Sequence, residues 1–369
     1  MFVLLILFLL FVLVVFALNV PAFGGVPSGA RLARIRALPN YNGSSLDNLS
    51  DTPVKPPGVS YLDMIRGMLK KNVNRRPALP VPFVRPVFSA MEGTEARLTW
   101  FGHSSYLLQV DGLNVLVDPV FSPRTSPFSF LGTRQYPGTD FLSPEDLPDL
   151  DIVLITHDHY DHLDYRTILR LKHKTRHFLT SLGAGVHLEK WGVTADRITE
   201  LAWGDAADLF GLSFRALPAR HFTGRKFKRN QTVWSAFVLQ TAAYRLYLGG
   251  DSGYDVHFKA AGDVYGPFDL ALLECGQYNV YWPHIHMFPE QTVQAAIDLR
   301  AKILMPVHWG KFTLAMHDWN EPVIRAVKAA AEKNVRICTP LMGESVILDQ
   351  FYPERQWWLN LDPGSNNVG

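Results

Sequence analysis

The sequence has few cysteines and few charges. Only two cysteines, Cys275 and Cys338, occur in 369 residues, too few for a disulfide framework. Charged residues make up 19% of the chain, the net charge is +2, and no internal repeat, zinc-ribbon spacing or basic-aromatic run is found. These absences argue against nucleic acid as a partner. With 47% apolar residues, the chain can build one large core and one appended extension.

Charged and polar side chains are entirely absent from the amino-terminal run Phe2 to Leu18, and apolar residues resume after Asn19 as far as Phe23. This run approaches the length that a helix needs to cross a bilayer. We therefore predict a retained membrane-spanning anchor over residues 1–25. A cleaved signal peptide is the alternative, because Val20-Pro21-Ala22 resembles a small-residue cleavage site.

The segment after the anchor is basic and has little regular spacing of apolar residues. Arg31, Arg34 and Arg36 follow the apolar run, and the positive-inside rule then places the following domain in the cytoplasm by a small margin. Residues 26–90 are rich in Pro, Gly, Asn and Arg, with a helical pattern only at 61–69, which predicts an extension packed on the core. Residues 91–350 form the predicted main domain, and residues 351–369 a tail.

The most informative motif follows residues 151–155, whose apolar, β-branched sequence predicts a buried strand. The next residues read His157-Asp-His159-Tyr-Asp161-His162. Residues two apart in extended chain share a face, so His157 and His159 can bind one metal ion, with Asp161 and His162 reaching a second. Imidazole and carboxylate ligands suit zinc, iron and manganese alike.

Three later positions offer further ligands. His221, Asp251 and His308 each follow a short apolar run typical of a strand. Glycines 249 and 250 precede Asp251, and glycine there lets the backbone approach a metal closely. Asp158 and Asp164 are candidates for orienting the ligand imidazoles, with plain solvation as the alternative.

Together these motifs resemble the metallo-β-lactamase superfamily of binuclear metallohydrolases. The segments that begin at Trp100 (Trp-Phe-Gly-His), Asp118 (Asp-Pro-Val-Phe-Ser) and Pro306 (Pro-Val-His-Trp-Gly) look closest to the branch of N-acylphosphatidylethanolamine-hydrolysing phospholipases D, which has ascorbate-phosphate lactonase relatives. The resemblance implies an α/β fold, an αββα sandwich of two mixed sheets flanked by helices. It also implies structural roles for His103 and Asp118 beneath the metal loop.

The resemblance further implies a site with two Zn²⁺ ions, although manganese or iron is also compatible with these ligands. The first ion would be held by His157, His159 and His221, and the second by Asp161, His162 and His308. Asp251 would bridge the ions, and a hydroxide shared by them would attack the substrate. Asp161 is accordingly assigned to catalysis as well as to metal binding.

His286 matches a histidine that the phospholipase family carries just before a Pro-Glu pair, here Pro289-Glu290. It would donate to a phosphoryl oxygen or protonate a leaving alkoxide. The alternative is a loop histidine that caps a helix.

Three residues are assigned to the substrate. Arg225 and Lys228 belong to the basic segment 224–230, which we interpret as a binding site for phosphate or a lipid headgroup, with a solvated loop as the alternative. Tyr278 would line an acyl-chain channel or fill core. The predicted function is a membrane-anchored phosphodiesterase that hydrolyses N-acylphosphatidylethanolamine or a related phospholipid. A lactonase or other carboxyl-ester hydrolase is the alternative, and a homodimer is left open.

Overall fold

The computed structural model describes residues 5, 6, 8, 19–53, 55–69, 74–89 and 95–361. The α-helices are α1 (Gly29–Arg36), α2 (Tyr61–Leu69), α3 (Tyr165–Leu171), α4 (Gly185–Lys190), α5 (His257–Tyr265), α6 (Pro289–Asp298) and α7 (Glu321–Glu332). Short 3₁₀ helices cover Pro21–Phe23, Pro144–Asp146, Ala195–Arg197 and Trp357–Asn360. The strands are β1 (Ala96–Trp100), β2 (Tyr106–Val110), β3 (Leu113–Val117), β4 (Leu150–Ile155), β5 (Thr175–Ser181), β6 (Ile198–Leu201), β7 (Ala206–Leu209), β8 (Leu212–Leu217), β9 (Ala236–Gln240), β10 (Arg245–Leu248), β11 (Leu270–Glu274), β12 (Leu304–Val307) and β13 (Ser345–Ile347).

The strands form two mixed sheets. One has the order β13-β1-β2-β3-β4-β5-β6, with antiparallel pairing up to β3 and parallel pairing from β3 onward. The other has the order β12-β11-β10-β9-β8-β7, antiparallel from β7 to β10 and parallel from β10 to β12. Two mixed sheets with helices are the predicted architecture.

Side-chain alternation along β4 shows why the sheets stack. Ile152 and Leu154 join the cluster of buried side chains between the sheets, whereas Val153 and Ile155 join the cluster that contains residues of α3 and α4. A strand covered on both faces reads as a continuous apolar run, because alternate side chains enter different cores. Helices α5, α6 and α7 contribute to a third cluster with the second sheet.

The amino-terminal extension contacts the first sheet and its helices. Arg31 of α1 forms ion pairs with Glu189 at 2.7 Å and Glu200 at 2.6 Å, and Ile35 is buried. These contacts attach residues that come before the main domain to elements in its middle.

The predicted spanning helix lies mainly outside the described residues. Within the described part of the chain, no helix has the length and hydropathy required to cross a bilayer. Residues 21–23 correct the predicted carboxyl end of the span: Trp191 Nε1 donates to the Pro21 carbonyl at 2.8 Å, and Arg225 Nη2 donates to the Ala22 carbonyl at 2.7 Å. Because these carbonyls bond to the domain, Pro21–Phe23 belongs to the fold.

The sequence of residues 98–108 predicts a single strand, and this prediction is wrong in one respect. The structure divides the segment into β1 and β2, with a tight turn at residues 101–105. His103 has a φ of 54° there, a left-handed conformation that ends a strand. Asp111 and Gly112 predict a second turn, and this turn does connect β2 to β3.

Candidate metal centre

The predicted metal ligands lie beyond the carboxyl ends of four strands. His157 follows β4, His221 follows β8, Asp251 follows β10 and His308 follows β12. Strands β10 and β12 run parallel to the intervening β11, so their carboxyl ends open at the same edge of the sheet. The topology therefore gathers side chains that are up to 151 positions apart in sequence, from residue 157 to residue 308.

His157, His159 and His221 form what we call the imidazole half-site. Nδ1 of His159 lies 2.9 Å from Nε2 of His157 and 3.2 Å from Nε2 of His221. Burial lowers the pKa of His159 to about 4, and burial with the neighbouring imidazoles lowers the pKa values of His157 and His221 much further below their ordinary range. Neutral imidazole is the form that binds a metal.

Asp161, His162 and His308 form the carboxylate half-site, and His103 lies beside it. Nε2 of His103 donates to Oδ2 of Asp161 at 2.9 Å. Although burial opposes the change, the imidazoles of His162 and His103 hold the pKa of Asp161 well below its usual value. This half-site thus combines an ionised carboxylate with imidazoles.

Asp251 lies between the half-sites. Its Oδ1 is 3.2 Å from Nε2 of His162 and 3.1 Å from Nδ1 of His308, whereas its Oδ2 is 3.6 Å from Nε2 of His221. Each oxygen therefore faces a different half-site, as a bridging ligand requires. Burial raises the pKa of Asp251 to about 6, against the effect of His162.

The glycine before Asp251 is required by packing. Gly250 has a φ of +59°, and a Cβ there would lie 3.0 Å from Cβ of Thr156 and 3.1 Å from the carbonyl oxygen of Ser235. The turn therefore presses against the start of the metal loop, and a larger residue would displace either Asp251 or that loop.

The donor set fits two divalent cations. Tetrahedral zinc, with Zn–N bonds of about 2.0–2.1 Å, holds ligand atoms roughly 3.3 Å apart, which is close to the spacings in both half-sites. Nε2 of His162 and Oδ1 of Asp251 are buried without a hydrogen-bond partner among the described residues. Buried polar atoms are normally satisfied, so unpaired donors and acceptors that converge here favour a cation.

The backbone is strained around this site. His103, Asp118 and His308 all have positive φ values, of 54°, 41° and 65°. Non-glycine residues rarely adopt this conformation, and such strain concentrates at functional sites. Here it lets three polar side chains turn toward the metal centre directly after strands.

Asp118 orients a metal ligand, as its predicted position beneath the loop suggested. Its Oδ2 accepts from Nδ1 of His162 at 2.7 Å and from Oγ1 of Thr156 at 2.6 Å. This bond fixes the His162 tautomer, so that Nε2 faces the metal centre.

The predictions for Asp158 and Asp164 as partners of the ligand imidazoles are wrong. Asp158 accepts from Thr232 and His187, and Asp164 caps α3 and binds Ser122. Both carboxylates stabilise the metal loop from outside.

The extension supplies a residue that the sequence analysis missed. Nδ2 of Asn48 donates to the backbone carbonyl of His221 at 2.8 Å, and Oδ1 of Asn48 accepts from the backbone N–H of His221 at 3.0 Å. One side-chain amide therefore holds both polar groups of a ligand's backbone. An isolated asparagine in an aperiodic segment gave no signal of this role.

His286 lies over the metal centre, where the resemblance placed it. Its ring centroid is 5.0 Å from that of His221 and 5.3 Å from that of His308. Behind it, Nδ1 is 3.2 Å from Oε2 of Glu274. Glu274 was also missed, although an acid that ends an otherwise apolar strand is a signal that the sequence displayed.

Of the three predicted substrate residues, Arg225 and Lys228 line one cavity, and Tyr278 does not line it. Arg225 is buried and donates to the backbone carbonyls of Ala22, Asp158 and Leu163. Tyr278 is buried, and its hydroxyl donates to Glu321. These positions do not favour direct substrate contact for either residue. Lys228 is exposed at the rim of a cavity of about 340 Å³ between the basic segment and residues 23–27.

A second cavity opens directly beside the imidazole half-site. It measures about 200 Å³ and is lined by His221 with Asn48, Thr52, Met64, Phe222, Arg229, Asn230, Trp282 and Ile285. The side chain of Arg229 lies over the Phe222 ring, 4.8 Å from its centroid. A mainly apolar cavity with one cation thus adjoins a metal ligand, and the sequence analysis did not identify it.

Comparison with known proteins assigns the fold and the site to a family. A family model described as a beta-lactamase superfamily domain matches residues 113–309, which include all the predicted metal ligands. The chain belongs to the metallo-β-lactamase superfamily. This confirms the resemblance drawn from the motifs, and the protein is accordingly a metal-dependent hydrolase.

Relatives of this metallohydrolase include an uncharacterized protein of Mycobacterium tuberculosis, 41% identical over 91% of this chain and 93% of that protein. An N-acyl-phosphatidylethanolamine-hydrolyzing phospholipase D of Caenorhabditis elegans is 33% identical over 60% of this chain and 65% of that protein. Among solved structures, a metallohydrolase of Ignicoccus hospitalis aligns with a TM-score of 0.53 and 24% identity, covering 69% of this chain and 98% of that one. That likeness supports the fold alone.

Proposed function

We propose that this metallohydrolase is a zinc-dependent phosphodiesterase of the phospholipase D type, which hydrolyses N-acylphosphatidylethanolamine or a related phospholipid. The apolar cavity beside His221 is the observation that carries the proposal. Apolar side chains suit an acyl chain, and the guanidinium of Arg229 suits a phosphate. The nematode phospholipase gives independent support.

The surface near this cavity also suits a lipid substrate. Met64, which lines the cavity, belongs to α2, and the same helix exposes Tyr61, Leu62, Ile65 and Leu69. A contiguous patch of exposed apolar side chains is typical of an interaction site. On the other side of the cavity lies the basic segment 224–230, whose cations attract anionic lipid.

The chain's own residues would divide the work as follows. Two divalent cations, when held by the two half-sites, would supply Lewis-acid stabilisation and activation of water. Arg229 would hold the phosphate next to His221. His286 would donate a proton or hydrogen bond to an oxygen of the substrate, since its ring lies over both half-sites.

Membrane attachment is part of the proposal. We assign it to the apolar run before Asn19, with the domain in the cytoplasm, as the sequence predicted. Residues 21 and 22 are bonded to the domain through Trp191 and Arg225. Because Arg225 also contacts the metal loop at Asp158, an anchor preceding these residues would hold the metal centre close to the bilayer.

The substrate class is tested by hydrolysis of N-acylphosphatidylethanolamine vesicles beside a panel of lactones, with metal analysis of the same preparation. We expect hydrolysis of the phospholipid and close to two ions per chain. Replacing Arg229 with Ala should raise KM for the phospholipid, whereas the exposed Lys259→Ala change on α5 serves as the matched control. Turnover of lactones without turnover of phospholipid would establish the carboxyl-ester alternative instead.

The anchor is tested separately by removing residues 1–18, which leaves Pro21–Phe23 on the domain. Full-length and shortened proteins are compared on vesicle-borne and detergent-dispersed phospholipid. Tethering raises the effective concentration of a bilayer substrate only, so we expect a loss on vesicles and little change on dispersed lipid. The same activity ratio on both substrates would contradict the tethering role.

A further inference from the structure

Glu274 is a buried acid that no part of the binuclear scheme uses. It is the last residue of β11, follows four apolar residues and is fully buried. Its Oε1 accepts from the backbone N–H of Met287 at 2.8 Å, and its Oε2 lies 3.2 Å from Nδ1 of His286. Burying a carboxyl is costly unless its oxygens are hydrogen-bonded, and here one of the partners is the histidine over the metal centre.

The contact leaves a single nitrogen of His286 for chemistry. Nδ1 faces Glu274, and among the described residues Nε2 has no hydrogen-bond partner. A nitrogen of His286 lies within 4.8 Å of ligand atoms of Asp251 and His308, and the side chain is 12% exposed. Glu274 therefore fixes the orientation of the ring through Nδ1, and Nε2 remains available on the side of the metal centre.

The surroundings of Glu274 hold its carboxyl group in one orientation. The backbone N–H groups of Met287 and Ser252 both donate to this group. Because Oε1 accepts from Met287, Oε2 is the oxygen that faces Nδ1 of His286. With Nδ1 held by Glu274, Nε2 is the ring nitrogen that can exchange a proton with a substrate.

We propose that Glu274 is a positioning residue that orients His286, so that Nε2 of this histidine can protonate the leaving alkoxide. The inference deepens the proposed function and rests on it. Glu274 and His286 are 12 residues apart in sequence.

The proton balance closes without another reactant. Water supplies the oxygen that bonds to phosphorus, the P–O bond to the alcohol breaks, and the proton on Nε2 passes to the departing oxygen. The Glu274–His286 pair thereby loses one proton, and the proton released by the attacking water restores it. The backbone N–H groups of Met287 and Ser252 hold the carboxyl group of Glu274 in place during the step.

The test compares two phosphodiesters, one with an alkoxide leaving group and one with 4-nitrophenolate, which leaves without protonation. With the metal-loaded enzyme, Glu274→Ala should lower kcat on the alkyl diester by roughly tenfold to a hundredfold, with KM and metal content retained. On the 4-nitrophenyl diester the change should be small. Glu274→Gln should fall between the wild type and Glu274→Ala on the alkyl diester, because the amide can donate to Nδ1 but cannot transfer a proton.

A double-mutant cycle shows whether Glu274 acts through His286. Combining Glu274→Ala with His286→Ala should give no further loss beyond His286→Ala alone. Glu344→Gln, which alters another buried glutamate, bonded to the backbone of Leu341, controls for the loss of a buried carboxyl group and should leave kcat unchanged.

Equal losses on both diesters, loss of metal, or additive losses in the double variant would overturn the positioning role and leave the proposed function standing. A wild-type enzyme without turnover on any phosphodiester would overturn the proposed function, and this inference with it.

Discussion

The two half-sites of the metal centre are held in different ways. In the carboxylate half-site, the ligand side chains are oriented by hydrogen bonds from other side chains. Asp118 accepts from His162, and His103 donates to Asp161. In the imidazole half-site, the ligand His221 is held through its backbone by Asn48, and its ring Nδ1 donates to the carbonyl of Ile285 at 2.8 Å. One half-site is fixed by residues of the loops that follow β1 and β3, and the other by the extension and the loop that contains Ile285.

The half-sites also differ in their surroundings. The ring of His103 lies against those of His308 and Phe312, and its backbone N–H donates to the carbonyl of the buried Trp309. His221, in contrast, lines the open cavity. The difference supports the proposal that substrate approaches from the imidazole side. Four variants, taken in order of decreasing expected effect on activity, test this difference between the half-sites.

Asp251→Ala should disrupt both half-sites. Asp251 faces both of them, so its loss should remove both ions and reduce activity to background. His221→Ala should remove mainly one ion. Elemental analysis of the purified proteins measures this, with Asp263→Ala on α5 as the matched control. Equal metal loss in the Asp251 and His221 variants would contradict the bridging position.

His286→Ala should lower turnover without disturbing either half-site. The ring lies between His221 and His308 but occupies neither half-site's ligand set. We expect a loss of roughly 10²–10⁴-fold in kcat on an alkyl phosphodiester, the scale of acid-base assistance, with two ions retained. Wild-type turnover, or loss of an ion, would give His286 a structural or ligand role instead.

Asp118→Asn should weaken the carboxylate half-site alone. Without the carboxylate, the Nδ1–H of His162 loses its ionic partner and the ring its orientation. Loss of such a partner typically lowers metal affinity about 10–100-fold. Chelator titration followed by elemental analysis should show that one ion leaves earlier than in the wild type. Simultaneous loss of both ions would show that the half-sites are not independent.

Asn48→Ala should weaken the imidazole half-site by a smaller factor, up to about tenfold, because only the backbone of His221 is released. Two backbone groups lose their partner, at about 1–3 kcal/mol of stability for a buried unsatisfied group. The same chelator titration measures the first effect and thermal unfolding the second. Earlier release of the carboxylate half-site's ion would contradict the assignment of Asn48.

Local sequence determined the secondary-structure elements of this protein. Helical patterns in the sequence at 61–69, 165–173, 183–191, 289–300 and 321–333 predict helices, and these correspond to α2, α3, α4, α6 and α7. Apolar periodicity and features such as Pro289 act within one or two turns, so local sequence is sufficient to predict them. The metal loop after β4 was equally predictable, since two-residue spacing puts His157 and His159 on one side of extended chain.

Tertiary structure decided the contacts that cross the chain. Asn48 meets His221 across 173 positions, and Arg225 turned out to bind the carbonyl of Ala22 rather than solvent. No local pattern encodes such pairs, because a side chain's partner depends on which strand ends the topology brings together. The sequence by itself determined which residues can bind metal. Only the fold decided which of them face both ions, which support them from behind, and from which side substrate can enter, because those properties arise from packing between distant segments.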